Sequence, residues 1–145
     1  MRLSMDDGVL RLIDANANRA REGLRVLEDV ARFVLDNESM SSRAKDYRHQ
    51  ITRHVAALRV EAAGLEDARD SEGDVGREGF GGGEAERDAV RDITVANAHR
   101  AQEALRVLEE FSKLADAGVA ALLKDLRYSV YTLEKDMLGV LSAEF

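Results

Sequence analysis

Two sets of side chains share one spacing and could do the same chemistry: Asn16, Arg19, Glu22 and Arg25, then Asn97, Arg100, Glu103 and Arg106. On a helix, residues three apart are neighbours on one side, so each set forms a polar stripe. Arginines placed this way can grip phosphate oxygens in a fork that lysine does not reproduce. The plainer reading is a row of intrahelical ion pairs, each worth about 0.2–0.5 kcal/mol. Recurrence of the whole set argues for more than that.

A second set lies between the two. Arg69, Asp70, Asp74 and Gly76 fall in a stretch of turn residues and opposed charges. Glycine beside a cation lets backbone N–H groups approach phosphate oxygens. Asp70 or Asp74 could hold Mg²⁺ or accept a proton from an attacking oxygen. The stretch lacks the Gly-x-x-x-x-Gly-Lys-Ser/Thr of a P-loop, and acidic loops of this kind are commonly plain connections. Ferritin-like metal chemistry needs Glu-x-x-His, and none of His49, His54 or His99 has a glutamate three residues before it.

The elements that must position these residues come from a duplication. Residues 16–28 recur as 97–109 at an offset of 81, differing only at positions 18, 21 and 23. A repeat of this length is one supersecondary unit used twice. In the first copy Ile13, Ala17, Ala20, Leu24, Leu27, Ala31 and Val34 step by four and three, the apolar seam of a packed helix. Arg19, Glu22 and Arg25 point away from that seam.

The first helix is expected from about Leu10 to Asp36, with Asp6 or Asp7 as its cap and Asn37 as its stop. The second is expected from about Met40 to Ala63, with Ala44, Tyr47, Ile51, Val55, Leu58 and Ala62 on one face and Gly64 as its end. Residues 65–83 break the pattern and end in the flexible run Gly79-Phe80-Gly81-Gly82-Gly83. The third helix is expected from about Glu84 to Ala115. The fourth, about Val119 to Leu141, carries Val119, Leu123, Leu126, Val130, Leu133, Met137 and Val140 as a heptad. Lys45-Asp46-Tyr47-Arg48 also matches Lys124-Asp125-Leu126-Arg127, so the duplicated unit is a helical hairpin. The expected fold is all-α: one domain over 1–145, a pseudo-twofold four-helix bundle of hairpins 10–64 and 84–143 joined by the glycine-rich loop 65–83.

Composition sets the limits. A chain of 145 residues can bury roughly 68–70% of its unfolded surface without staples. It has no cysteine, which excludes disulfides and thiolate chemistry and fits a reducing compartment. Aromatic residues are 5% and proline is absent, so helix formers dominate. A net charge of −7 argues against wholesale nucleic-acid binding. No stretch reads as a signal peptide or membrane span, so a cytoplasmic protein with no membrane partner is expected. Val26, Phe33 and Val107 lie outside the seam and leave a homodimer open.

With these motifs in place, the chain resembles the monofunctional helical hydroxymethylpyrimidine phosphate kinases of bacterial thiamine synthesis, a family often fused ahead of thiamine phosphate synthase. The resemblance rests on Arg11 to Asn16, Arg19 to Asp29, Ala68-Arg69-Asp70, Asp74-Val75-Gly76, Ala96-Asn97 and Arg100 to Glu110. It implies ATP-dependent phosphorylation of a small-molecule substrate, hydroxymethylpyrimidine phosphate, with ATP and Mg²⁺ as cofactors. Arg69, Asp70 and Asp74 are then the expected catalytic residues, with Asp70 or Asp74 meeting Mg²⁺. The loop would fold over a helix face and close a pocket lined by Arg19, Arg25, Arg100 and Arg106, oriented by Glu22 and Glu103. The loop after Gly76 departs from the family's Ser- and Thr-containing pattern. A second reading, from another class, is a non-catalytic helical module that tethers, dimerises or regulates a thiamine phosphate synthase, its outward arginines serving as interface residues.

Overall fold

The computed structural model describes residues 7–61 and 86–144. They form α1 (Asp7–Asp29), a π-helical turn (Val30–Val34), α2 (Glu38–Glu61), α3 (Glu86–Ser112) and α4 (Ala117–Glu144). The described residues contain no strand, as the composition predicts. The expected loop 65–83 lies outside them.

Most of the apolar positions expected in the first, second and fourth helices are buried, whereas Tyr47 and Val140 are half-buried and Ala62 lies outside the described residues. Ile13, Ala17, Ala20, Leu24, Leu27 and Ala31 of the first copy are buried, as are Ala44, Ile51, Val55 and Leu58 of α2. On α4 the heptad from Val119 to Met137 is buried throughout. Fully burying one such leucine or isoleucine is worth about 1.5–3 kcal/mol, so this shared core holds the four helices together. Among the described residues no helix is long and apolar enough to cross a membrane.

Around the bundle, α1 lies beside α2 and α3, and α4 closes the ring against the same two. Side-chain bonds fix the directions. Glu28, at the end of α1, meets Arg48 in the first half of α2, and Glu109, near the end of α3, meets Arg127 in the first half of α4. Arg43, in the second turn of α2, donates to Asp136 near the far end of α4 at 2.9 Å. Every neighbour in the ring is therefore antiparallel, α1 and α3 included, and the pseudo-twofold axis runs across the helices.

The two copies meet closely where α1 packs on α3. A Cβ on Gly23 would fall 2.7 Å from the Asn97 carbonyl oxygen and 3.2 Å from the Ala101 nitrogen. Ala104 holds the matching position in the second copy and is buried. Small residues here let two helix backbones approach.

The first turn departs from expectation. Glu28 and Arg48 are 20 residues apart, whereas Glu109 and Arg127 are 18 apart, so the first hairpin carries two extra residues. They are taken up in the π-helical turn, where the Leu35 N–H donates to the Val30 carbonyl at 2.9 Å. The turn rotates the following residues, so Val34, expected in the seam, is 44% exposed and Leu35 is buried in its place. Asp36 then adopts a left-handed backbone with φ 50° and ends the segment. Asn37, expected as a stop, acts instead as the cap of α2, its Oδ1 accepting from the Met40 N–H at 2.9 Å. Asp116 caps α4 the same way, accepting from the Gly118 and Val119 N–H groups.

Candidate functional site

The repeated polar residues divide into an outward and an inward group. Arg19, Glu22, Arg25, Arg100, Glu103 and Arg106 are all exposed, as their angular positions predict. Arg25 pairs with Asp29 at 3.5 Å and Arg106 with Glu110 at 3.0 Å, each one turn further along its own helix. Those acids, and not Glu22 and Glu103, are the partners formed. Lys113 also reaches Glu110 at 3.2 Å. Lys113, with Arg106 behind it, holds the Glu110 carboxyl below the usual carboxylate value.

Asn16 and Asn97 belong to the inward group. Asn16 is buried and donates its amide to the Leu12 carbonyl, and Asn97 does the same to Ile93, both at 2.9 Å. The other inward residues close each hairpin. Arg48 bonds Glu28 at 2.7 and 2.8 Å. Arg127 reaches Glu109 at 3.0 and 3.2 Å, with both side chains 8% exposed. Burial acts to lower the Arg127 pKa, but bonds to Tyr131 and Glu109 outweigh it and raise the value. Sequence reasoning missed these pairs. A signal was present: each repeat ends in a glutamate, and each Lys-Asp-x-Arg fragment ends in an arginine.

A groove opens among the described residues of α3 and α4. His99, Gln102, Glu103, Arg106 and Tyr131 line an open groove of about 430 Å³ between α3 and α4. Glu134 stands beneath it, with His99 Nε2 3.3 Å from one carboxylate oxygen and Gln102 Nε2 donating to the other at 2.8 Å. Two of the five lining residues, Glu103 and Arg106, were expected from the repeat. The others mark where the copies differ. Asn18, Arg21 and Thr52 occupy the positions matching His99, Gln102 and Tyr131, and Arg21 donates to Asn18 at 2.6 Å. The groove can hydrogen-bond and stack against what it receives, with Glu134 already oriented by its two partners.

Arg69, Asp70, Asp74 and Gly76 lie outside the described residues. The expected closure of that loop over the helix arginines, and the fit of Mg²⁺ to either aspartate, fall there too. Among the described residues no group of three or more His, Asp or Glu side chains is placed to hold a metal ion.

A family model described as the ThiD2 family matches residues 11–136. The chain is 42% identical over 132 residues to a Nostoc punctiforme protein named thiamine-phosphate synthase, covering 90% of this chain and 36% of that protein. Proteins of the same name from Synechocystis and Rhodopirellula baltica are 42% and 43% identical over 96% and 91% of this chain. The match covers 39% and 36% of their lengths, so the chain spans little more than a third of the relatives it matches. No solved structure gives a significant match. These names correct the expectation of an ATP-dependent hydroxymethylpyrimidine phosphate kinase: relatives above 40% identity carry the name of a different enzyme.

Proposed function

Because the chain belongs to the ThiD2 family and to thiamine biosynthesis, we propose that it is a helical module that tethers or regulates a thiamine-phosphate synthase. One observation carries the reading: 90% of this chain aligns with only 36% of a protein bearing that name. A stretch that matches so fully, inside a much longer polypeptide, behaves as a module with its own core. The fold supports this, since one buried and one part-buried ion pair and a shared apolar core tie the four helices into one bundle. The duplicated arginines, all exposed, with Arg25 and Arg106 paired along their own helices, are interface residues in this reading.

The test mixes the purified chain with a thiamine-phosphate synthase polypeptide that lacks this helical region. Sedimentation velocity and the rate of thiamine phosphate formation are both measured. Untethered partners need high concentration, because a short linker supplies an effective concentration of roughly mM. A defined complex with an altered rate or altered enzyme stability is expected. No complex and an unchanged enzyme would overturn the proposal.

A further inference from the structure

The two hairpins share the buried seam Ala17, Ala20, Leu24 and Leu27, repeated as Ala98, Ala101, Leu105 and Leu108, and differ on an outer face. On α4, Lys124, Tyr128, Tyr131 and Lys135 are all exposed and follow each other at helical spacing, forming one stripe. The matching residues of α2 are Lys45, His49, Thr52 and Ala56. Tyr128 and Tyr131 are 52% and 42% exposed, with ring centroids 5.9 Å apart. Beneath them the Arg127 guanidinium sits 5.0 Å from the Tyr128 ring while bound to Glu109, so this aromatic surface rests on a fixed support. The groove of His99, Gln102 and Arg106 opens beside Tyr131.

From this we infer that the outer α3–α4 face is the surface that seats the synthase, an inference that rests on the proposed tethering or regulatory role. Three observations select this occupant. Small-molecule sites enclose most of the ligand surface, whereas this groove is open and continues onto exposed tyrosines. Tyrosine and arginine are enriched among the residues that dominate protein interfaces, and preorganised ones lose less freedom on binding. The Nostoc punctiforme relative has nearly two thirds of its length outside the match, so a partner of adequate size accompanies this module there. A face that differs between the two copies suits a single partner.

Calorimetry with the intact chain and the separate synthase polypeptide tests the assignment. Tyr131→Ala and Arg106→Ala should each weaken binding by about tenfold or more. His49→Ala and Thr52→Ala, on the matching α1–α2 face, should change it by less than about twofold. Thermal melts identify any variant that fails to fold, and Arg106, exposed and, among the described residues, paired along its own helix, keeps the test decisive if Tyr131→Ala unfolds. If the α1–α2 variants weaken binding and the α3–α4 variants do not, the inference falls while the tethering or regulatory role stands. If the unaltered chain forms no complex, both fall. Self-association of the chain alone that Tyr131→Ala abolishes would assign the face to a second copy and overturn the inference.

Discussion

Each buried ion pair is a commitment by two side chains that cannot both be satisfied elsewhere. Removing one partner of such a pair costs about 3–5 kcal/mol because the other charge is stranded. Arg127→Ala should therefore destabilise the chain by about 3 kcal/mol or more in urea unfolding. Arg48→Ala should cost less, since Arg48 is 19% exposed and the stranded Glu28 gains water more easily. The double change Arg127→Met with Glu109→Leu should recover most of the loss, because no unpaired charge then remains. Ser112 makes the opposite case. Its hydroxyl is buried without a hydrogen-bond partner among the described residues, and the first copy has Ala31 at the matching position. Ser112→Ala should raise stability by about 1 kcal/mol, read as a higher midpoint in urea. His54 gives a pH dependence. Burial first and Arg53 second lower its pKa from 6.5, so the unfolded chain binds the proton more tightly than the folded one. Stability should then rise with pH from the depressed folded value up to about 6.5. His54→Gln should flatten the melting temperature across that window, and an unchanged slope would refute the assignment.

The close approach of α1 and α3 is set by one missing methyl group. Alanine at position 23 would gain up to about 1 kcal/mol of helix propensity. Its Cβ would press on a backbone oxygen 2.7 Å away, and such overpacking costs about 1–3 kcal/mol. Because the opposing atom belongs to a helix backbone and cannot rotate aside, the steric term wins. Gly23→Ala should be destabilising by about 1–2 kcal/mol in urea unfolding; a gain would mean that the helices separate freely. At this scale the sequence was informative about repeating patterns and poor at exceptions to them. The apolar steps of Ile13 to Ala31 and Val119 to Met137 placed both helices and their buried faces correctly. They misplaced Val34 because a two-residue insertion rotates everything after it, and a periodic reading has no term for that. Asn37 was read as a stop because the same amide chemistry ends one helix and caps the next.

For the molecule as a whole, the duplication was legible and its meaning was only partly so. The eight repeated polar residues read as one binding set divide between two roles: Asn16 and Asn97 turn back onto their own helices, while Arg19, Glu22, Arg25, Arg100, Glu103 and Arg106 face outward, and the glutamates that close the hairpins, Glu28 and Glu109, were not in that set. Linear spacing could not separate them, since which glutamate meets which arginine depends on a neighbouring helix. The groove was invisible for a related reason. Three of its five lining residues, His99, Gln102 and Tyr131, are positions where the copies differ, and attention to identity passes over them. The antiparallel crossing of α1 and α3 about a perpendicular axis has one further consequence. The surface joining the hairpins is isologous, each half offering the other the patch it receives, so one hairpin contains all the information needed to pair with itself. Two separate hairpins pairing in that way would carry identical outer faces. Joining both copies in one polypeptide lifts that constraint, which is how Tyr131 can stand on one side of the axis and Thr52 on the other while Ala17, Ala20, Leu24 and Leu27 still recur as Ala98, Ala101, Leu105 and Leu108.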